Sequence, residues 1–352
     1  MTATSPHLYR SLGASALEVS TLCLGSMMFG GPCDEATALR IMDDAHARGF
    51  NFLDTADVYQ QGRTEEVVGK GIAKHRDDWI VATKFGFSGA SMGFAGAQRP
   101  NREGQSRKWI LQTFERSLKR MATDYVDILY FHRALPGVTL EEGLRTVNDL
   151  MAQGKVLYYG LSNFRGWEIA DVVRLADRMN MTRPIVSQPL YNITDRTAEQ
   201  EILPAGAHYG LGAVPYSPLA RGVLTGKYAP NQQPAPGSRA GRADKRMMET
   251  EWRAESLELA QKIKAHAESR GTTAVGFALA WILANPAVSS VLAGPRTFEQ
   301  WQGYQAGLDY TITPDDEVFI NSLVSPGHSS RPGYSDPGYP VRGRAMTIAR
   351  PL

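Results

Sequence analysis

The chain has 352 residues, 43% of them apolar and 21% charged, a balance that belongs to a globular protein with a large core and excludes a disordered or fibrous one. Its 38 basic residues against 36 acidic ones leave a net charge of +2, so no diffuse positive field exists to hold nucleic acid or an anionic membrane, and any anion site must be local. Cys23 and Cys33 are the only cysteines, too few for a disulfide framework or a thiolate zinc site, which predicts reduced thiols and a cytoplasmic setting.

Residues 1–10 lack the apolar run of a secretory signal, so export is not expected. Two short apolar segments around Leu8-Tyr9 and Leu17-Val19, separated by Gly13-Ala14, predict a small hairpin that caps something larger. After it, apolar runs at 21–24, 50–53, 80–83, 126–131, 156–161, 185–187, 211–215 and 288–292 predict eight strands, with helical patterns between them. Ser106 opens one helix, with Ile110, Phe114, Leu118 and Met121 at helical spacing and Lys119 and Arg120 in its last turn. Thr139-Leu140-Glu141-Glu142 predicts a capping box for another, with Leu144, Val147 and Met151 on one face and Gly154 as terminator. The uncharged stretch 271–295 is long enough for a membrane span, but Asn285-Pro286 divides it into a buried helix, 273–284, and the last strand.

Strands that are apolar throughout, each followed by a helix, predict a parallel sheet covered on its outer face. Eight such units, with strand ends near Gly25, Asp54, Lys84, His132, Ser162, Gln188, Tyr216 and Gly294, predict a closed (β/α)8 barrel. Two intervals are long: they hold a glycine-rich insertion at 85–105 and a Pro-, Gly- and Arg-rich one at 226–246, both expected to be active-site loops. Residues 325–352 contain five Pro and four Gly and are expected to wrap the surface as an irregular tail. No domain boundary is visible, so the expectation is one barrel domain over 1–352. The competing open doubly wound sheet would carry a G-x-G-x-x-G fingerprint, and none occurs.

In such a barrel, chemistry collects where the strands end. Asp54, Lys84 and His132 each close a strand, and Tyr59 follows Asp54 in the same loop. A free tyrosine has a pKa near ~10, so an adjacent ammonium from Lys84 would make its hydroxyl a better acid, with Asp54 holding that ammonium and His132 orienting a carbonyl oxygen. Each residue also has a structural role open to it: Asp54 as a cap, Lys84 as a buried ion-pair partner, His132 as a satisfied histidine. No nucleophile motif stands beside a base, and no H-x-H or H-E-x-x-H pair offers a metal site, so the pattern predicts metal-free proton delivery to a carbonyl. Gly294-Pro295-Arg296-Thr297 after the last strand opens a helix with Thr297 and Gln300 spaced as a capping box, at the barrel's usual phosphate position. Tyr216-Ser217-Pro218-Leu219-Ala220-Arg221-Gly222 after the seventh strand offers a ring to stack on a heterocycle and backbone for phosphates.

These residues resemble the aldo-keto reductases over nearly the whole chain. The resemblance rests on Asp54-Thr55-Ala56-Asp57-Val58-Tyr59, Ala82-Thr83-Lys84-Phe85-Gly86, Ser106-Arg107, Thr123-Asp124-Tyr125-Val126-Asp127 with His132-Arg133, Gly160-Leu161-Ser162-Asn163-Phe164, Tyr216-Ser217-Pro218-Leu219 and Gly294-Pro295-Arg296. It implies a single barrel closed at its bottom by the hairpin. The activity implied is NADPH-dependent reduction of an aldehyde or ketone by direct hydride transfer, with NADH as the other cofactor to consider. It implies Tyr59 as general acid, Lys84 and Asp54 as its tuning pair and His132 as orienter. For the cofactor it implies Ser26, Met27 and Asp54 nearby, Ser162, Asn163 and Gln188 on the nicotinamide amide and Tyr216 stacked on its ring. Ser217, Leu219 and Arg221 would lie along the pyrophosphate, and Gly294, Arg296 and Gln300 around the adenosine 2′-phosphate and ribose. The substrate, a small carbonyl compound suited to an apolar and partly aromatic wall, would meet Met28, Phe29, Tyr59, Phe85, Phe87 and His132. Where many relatives have E-Q-L-x-E-N, this chain has Glu299-Gln300-Trp301-Gln302-Gly303-Tyr304, which leaves the NADPH preference open. The branch of this fold that serves as potassium-channel β subunits supplies the alternative, a nicotinamide-binding sensor or accessory subunit.

Overall fold

The computed structural model describes residues 8–89, 100–135 and 138–340. Two short strands, β1 (Tyr9–Ser11) and β2 (Glu18–Ser20), form an antiparallel hairpin. Eight more follow: β3 (Leu22–Gly25), β4 (Phe52–Asp54), β5 (Ile80–Phe85), β6 (Val126–Phe131), β7 (Val156–Ser162), β8 (Val186–Gln188), β9 (Gly212–Ala213) and β10 (Val291–Ala293). They are hydrogen-bonded in parallel in the order β10-β3-β4-β5-β6-β7-β8-β9. The ring closes where Ala213 donates to the Ala287 carbonyl and Ser289 donates to that of Ala213, each at 2.9 Å, beside a parallel bridge from Ala213 to Val288. Helices Glu35–Ala47, Arg63–Ile72, Arg107–Met121, Glu141–Ala152, Gly166–Arg178, Ile202–Tyr209, Ala274–Ala284 and Phe298–Ala306 alternate with the strands. The (β/α)8 architecture expected from the sequence is therefore present.

Two apolar layers hold the barrel. The larger lies between sheet and helices, where Leu24, Leu53, Val81, Leu129, Phe131 and Leu161 meet helix residues such as Ile41, Val68, Phe114 and Ile169. The smaller fills the barrel itself: Cys23, Phe52, Ile80, Ala82, Ile128, Tyr130, Val186 and Val214, sealed below by Leu12 and Val19 of the hairpin. Strand side chains alternate between these layers with period two. Gly160 is needed in the interior, because a Cβ there would meet Val186 Cγ1 at 2.4 Å and Tyr130 Cε1 at 2.6 Å. The hairpin is pinned under the barrel by Arg10, whose guanidinium donates to the carbonyls of Leu283 (2.9 Å) and Val288 (2.8 Å).

Several local expectations are corrected. The Thr139 capping box does not form: the helix starts at Glu141, Leu140 occupies the cap without a side-chain bond, and Glu142 accepts from the backbone N–H of Arg107 instead. The seventh barrel strand is reduced to Gly212–Ala213, since Pro215 has no N–H for a ladder. Most of the 86–105 insertion's center lies outside the described residues. The tail is irregular as expected as far as residue 340, running over the loops after β7 and β8, where Ser330 N–H donates to Thr194 and Arg165 donates to the Tyr339 carbonyl at 2.7 Å. Among the described residues no helix is long and apolar enough to cross a membrane.

Candidate active site

Period-two alternation explains which residues reach the barrel mouth. Asp54, Lys84, His132, Ser162, Gln188 and Tyr216 each lie two residues beyond an inward-facing position: Phe52, Ala82, Tyr130, Gly160, Val186 and Val214. They form the next interior layer, one step toward the C-terminal ends of the strands. Unlike the layer beneath, this one is polar.

At its center Lys84 Nζ pairs with Asp54 Oδ1, donates to the Thr55 carbonyl at 2.8 Å and lies 3.4 Å from the Tyr59 hydroxyl. Both side chains of the ion pair are buried, and Gln188 donates to the second Asp54 oxygen at 2.9 Å. Burial lowers the Lys84 ammonium, but Asp54 and Tyr59 raise it by more, so the amine is held above its ordinary value. Burial also pushes the Tyr59 phenol up, with Lys84 pulling it back, so the hydroxyl keeps its proton at neutral pH. The His132 ring stands edge-on to Tyr59 with centroids 6.0 Å apart. Burial, then Lys84 and Arg133, drive its basicity well below the usual imidazole value, and its buried Nδ1 has no hydrogen-bond partner among the described residues. A neutral imidazole with an uncommitted nitrogen, a protonated phenol and a buried ammonium thus share one rim. That arrangement can donate a proton to a substrate oxygen and hold that oxygen by hydrogen bonds.

The residues expected around a nicotinamide form a connected set. Ser162 Oγ donates to the Gln188 carbonyl at 3.0 Å, Asn163 Nδ2 donates to the His132 carbonyl at 2.9 Å, and the Tyr216 hydroxyl donates to Asn163 Oδ1 at 2.7 Å. Ser26 Oγ donates to the Asp54 carbonyl, and Met27 accepts from Gln60. From Ser217 to Gly222 the chain takes positive φ at Ser217 (56°), Ala220 (46°), Arg221 (53°) and Gly222 (100°). Non-glycine residues held this way cost energy and cluster where backbone serves a ligand. Leu219 is buried beneath this turn, and the Arg221 Nε is buried without a hydrogen-bond partner among the described residues. At the far end Thr297 caps helix Phe298–Ala306 by accepting from the Gln300 N–H, while Gln300 accepts from the Arg296 N–H at 2.8 Å rather than from Thr297. Arg296 donates to the Gly237 carbonyl at 3.0 Å, and a Cβ at Gly294 would meet open space. An orphaned buried guanidinium nitrogen, a strained polar turn and an open helix N-terminus fit a dinucleotide phosphate. In the 226–246 insertion Arg239 lies against Met28 and Asp244 and Arg246 is taken by Asp336, while Tyr304 of helix Phe298–Ala306 is buried beside the Gly294 backbone.

Two residues expected at the substrate wall are placed elsewhere. Phe85 follows inward-facing Lys84 directly, so it faces outward and packs against Phe131 at 4.8 Å. Phe29 is fully buried in the outer core. Met28 and Phe87 stay partly exposed, and Phe87 packs edge-on to His132 at 4.7 Å. Sequence reasoning missed the cluster below the 54–62 loop. There Glu65 accepts from Thr83 (2.6 Å) and Arg120 (2.7 Å) beside buried Asp57. Its only signal was Asp57 inside the motif. A cavity of about 320 Å³ between the tail and the β7 and β8 loops, lined in part by Asn163, Tyr216, Tyr334 and Tyr339, was also not legible.

Comparison with known proteins gives the family. The model of the aldo/keto reductase family matches residues 21–322. A probable voltage-gated potassium channel subunit beta of Oryza sativa subsp. japonica is 37% identical over 323 residues, 90% of this chain and 96% of the rice protein. Its counterpart in Arabidopsis thaliana is 36% identical over 306 residues, 86% of this chain and 91% of that one. An uncharacterized oxidoreductase of Bacillus subtilis (strain 168) is 33% identical over 341 residues, 93% and 99% of the two chains. The chain belongs to the aldo/keto reductase family of oxidoreductases, which generally use NAD(P)H.

Proposed function

We propose that this chain, as a single barrel domain, reduces the carbonyl of an aldehyde or ketone, bulky or cyclic ones included, to an alcohol with NADPH. The observation that carries this is the buried chain Gln188–Asp54–Lys84, which reaches the half-buried Tyr59 beside a neutral His132. When bound, the nicotinamide supplies a hydride to the carbonyl carbon. The protein's own residues do the rest. His132 holds the carbonyl oxygen against the Tyr59 hydroxyl, Tyr59 gives it a proton, and Lys84 stabilises the negative charge that grows on the phenol oxygen. Asp54, held by Gln188, keeps Lys84 charged and in place. Met28 and Phe87 form the apolar part of the wall. Ser162, Asn163, Gln188 and Tyr216 would hold the nicotinamide, Ser217, Leu219 and Arg221 the pyrophosphate, and Gly294, Arg296 and Gln300 the 2′-phosphate end, in a cytoplasmic enzyme that needs no metal.

A second reading is favoured by the near full-length similarity to proteins named as channel β subunits: a nicotinamide-binding accessory subunit with little turnover. The deciding measurement is NADPH and NADH oxidation with a panel of aldehydes, sugars and cyclic ketones, wild type beside Tyr59→Phe. Turnover that falls by about 10²–10⁴ in the variant, with cofactor binding kept, supports the reductase. Tight cofactor binding with no turnover in either protein supports the accessory subunit, and activity that survives in the variant removes Tyr59 as the acid.

A further inference from the structure

Away from the barrel mouth, three metal-ligating side chains converge. His46 sits in the last turn of helix Glu35–Ala47, and His75 and Asp78 flank the turn that leads into β5. This is the end of the barrel where strands begin, opposite Asp54, Tyr59 and Lys84. His46 Nε2 lies 2.8 Å from Asp78 Oδ2, His75 Nδ1 lies 3.7 Å from the same oxygen, and all three ligand atoms fall within 4.8 Å of one another. Tetrahedral zinc with ligands at about 2.0–2.1 Å sets neighbouring ligand atoms about 3.3 Å apart, between the two distances found here. A ligating nitrogen points its lone pair along its own ring plane, so one imidazole must turn out of the present stack to share an ion with the other, a rotation that the exposure of both side chains permits.

The donor types point to the kind of ion. The two imidazoles stack with centroids 4.1 Å apart and planes inclined by 18°, and they share one carboxylate. Two imidazole nitrogens and a carboxylate oxygen form a donor set whose complement is a borderline divalent cation rather than magnesium or calcium. The turn is also held in advance. Arg76 donates to the carbonyls of Trp79 (2.9 Å) and Tyr125 (3.1 Å) and to Asp127 (2.8 Å), its guanidinium covers the Tyr125 ring at 3.9 Å, and Asp78 N–H donates to the His75 carbonyl at 3.1 Å. The His46 ring packs 6.0 Å from that of Trp79. An ion can reach the site, since the side chains of His46, His75 and Asp78 are 29%, 49% and 61% exposed.

We propose that His46, His75 and Asp78 bind Zn²⁺, with water completing the shell, and that the ion ties the end of helix Glu35–Ala47 to the segment entering β5. Cys23 and Cys33 are buried and do not compete for it. The test is equilibrium dialysis and titration calorimetry of the full chain with Zn²⁺ near neutral pH, together with thermal unfolding with and without the ion. The expected result is one Zn²⁺ per chain, with affinity falling about tenfold or more in His46→Gln and in His75→Gln. The melting temperature should rise with Zn²⁺ in wild type and not in the double variant, checked to be folded by circular dichroism. Absence of stoichiometric uptake, or uptake undiminished in the folded double variant, overturns the proposal.

Discussion

Replacing Lys84 with Met tests the physical core of the site. The Lys84 and Asp54 side chains are 0% and 1% exposed, so removing the ammonium leaves a carboxylate with only the Gln188 amide beside it, cut off from water. Removing one partner of such a pair costs about 3–5 kcal/mol. Unfolding entropy of about 2.1 cal/mol/K per residue gives about 0.74 kcal/mol/K for this chain, so the melting temperature should fall by about 4–7 °C. The double variant Asp54→Leu/Lys84→Met fills the same space with apolar groups and removes both charges. It should recover most of the loss, because two buried charges are desolvated in wild type and none in the double variant. Scanning calorimetry on the four proteins reads the cycle, and turnover should be lost in all three variants. A melting temperature for Lys84→Met within about 1 °C of wild type, or a double variant no more stable than either single one, would refute the reasoning that burial makes this pair interdependent.

Other outcomes follow from the same structure. Glu251 is pushed up to about 7 by burial, against the pull of Arg221 and Arg253. The folded chain therefore binds more protons than the unfolded one between about 4.5 and 7, and this residue makes stability fall as pH rises through that window. Glu251→Gln should raise the melting temperature at pH 8 by up to about 4 °C, from at most about 3 kcal/mol, and change it little at pH 4.5. Asp316 behaves oppositely. Burial raises its carboxyl, but bonds from the Thr313 N–H, the Tyr310 hydroxyl, His266 and the Thr313 hydroxyl outweigh that and hold it far below the usual range. Its contribution is present above the unfolded value and lost as pH falls below it, so Asp316→Asn should destabilise the protein by about 1.5–3 kcal/mol at pH 7 and less at pH 3, as read by urea unfolding. Arg296→Ala should raise KM for NADPH by about tenfold or more while leaving that for NADH within about twofold, since a charged hydrogen bond is worth about 1.5–3 kcal/mol. Equal effects on both cofactors would remove Arg296 from the 2′-phosphate.

The sequence by itself determined the barrel and the positions of its polar mouth. Strands apolar on both faces cannot be covered on one side only, and because side chains alternate with period two the residue two steps beyond each inward apolar side chain must face inward too. That rule places Asp54, Lys84, His132, Ser162, Gln188 and Tyr216 in one layer; Phe85, expected at the substrate wall from its residue type, follows Lys84 and so takes the opposite face. What only the tertiary structure decided depends on groups distant in the chain. Glu142 leaves its expected capping box for the Arg107 backbone, Glu65 is buried by Thr83 and Arg120, and the tail crosses the β7 and β8 loops to meet Arg165. His46, His75 and Asp78 carry no motif spacing, because their ligand atoms meet across two elements packed side by side. Local periodicity records which face a residue takes, whereas which distant partner waits on that face is fixed by the closure of the barrel.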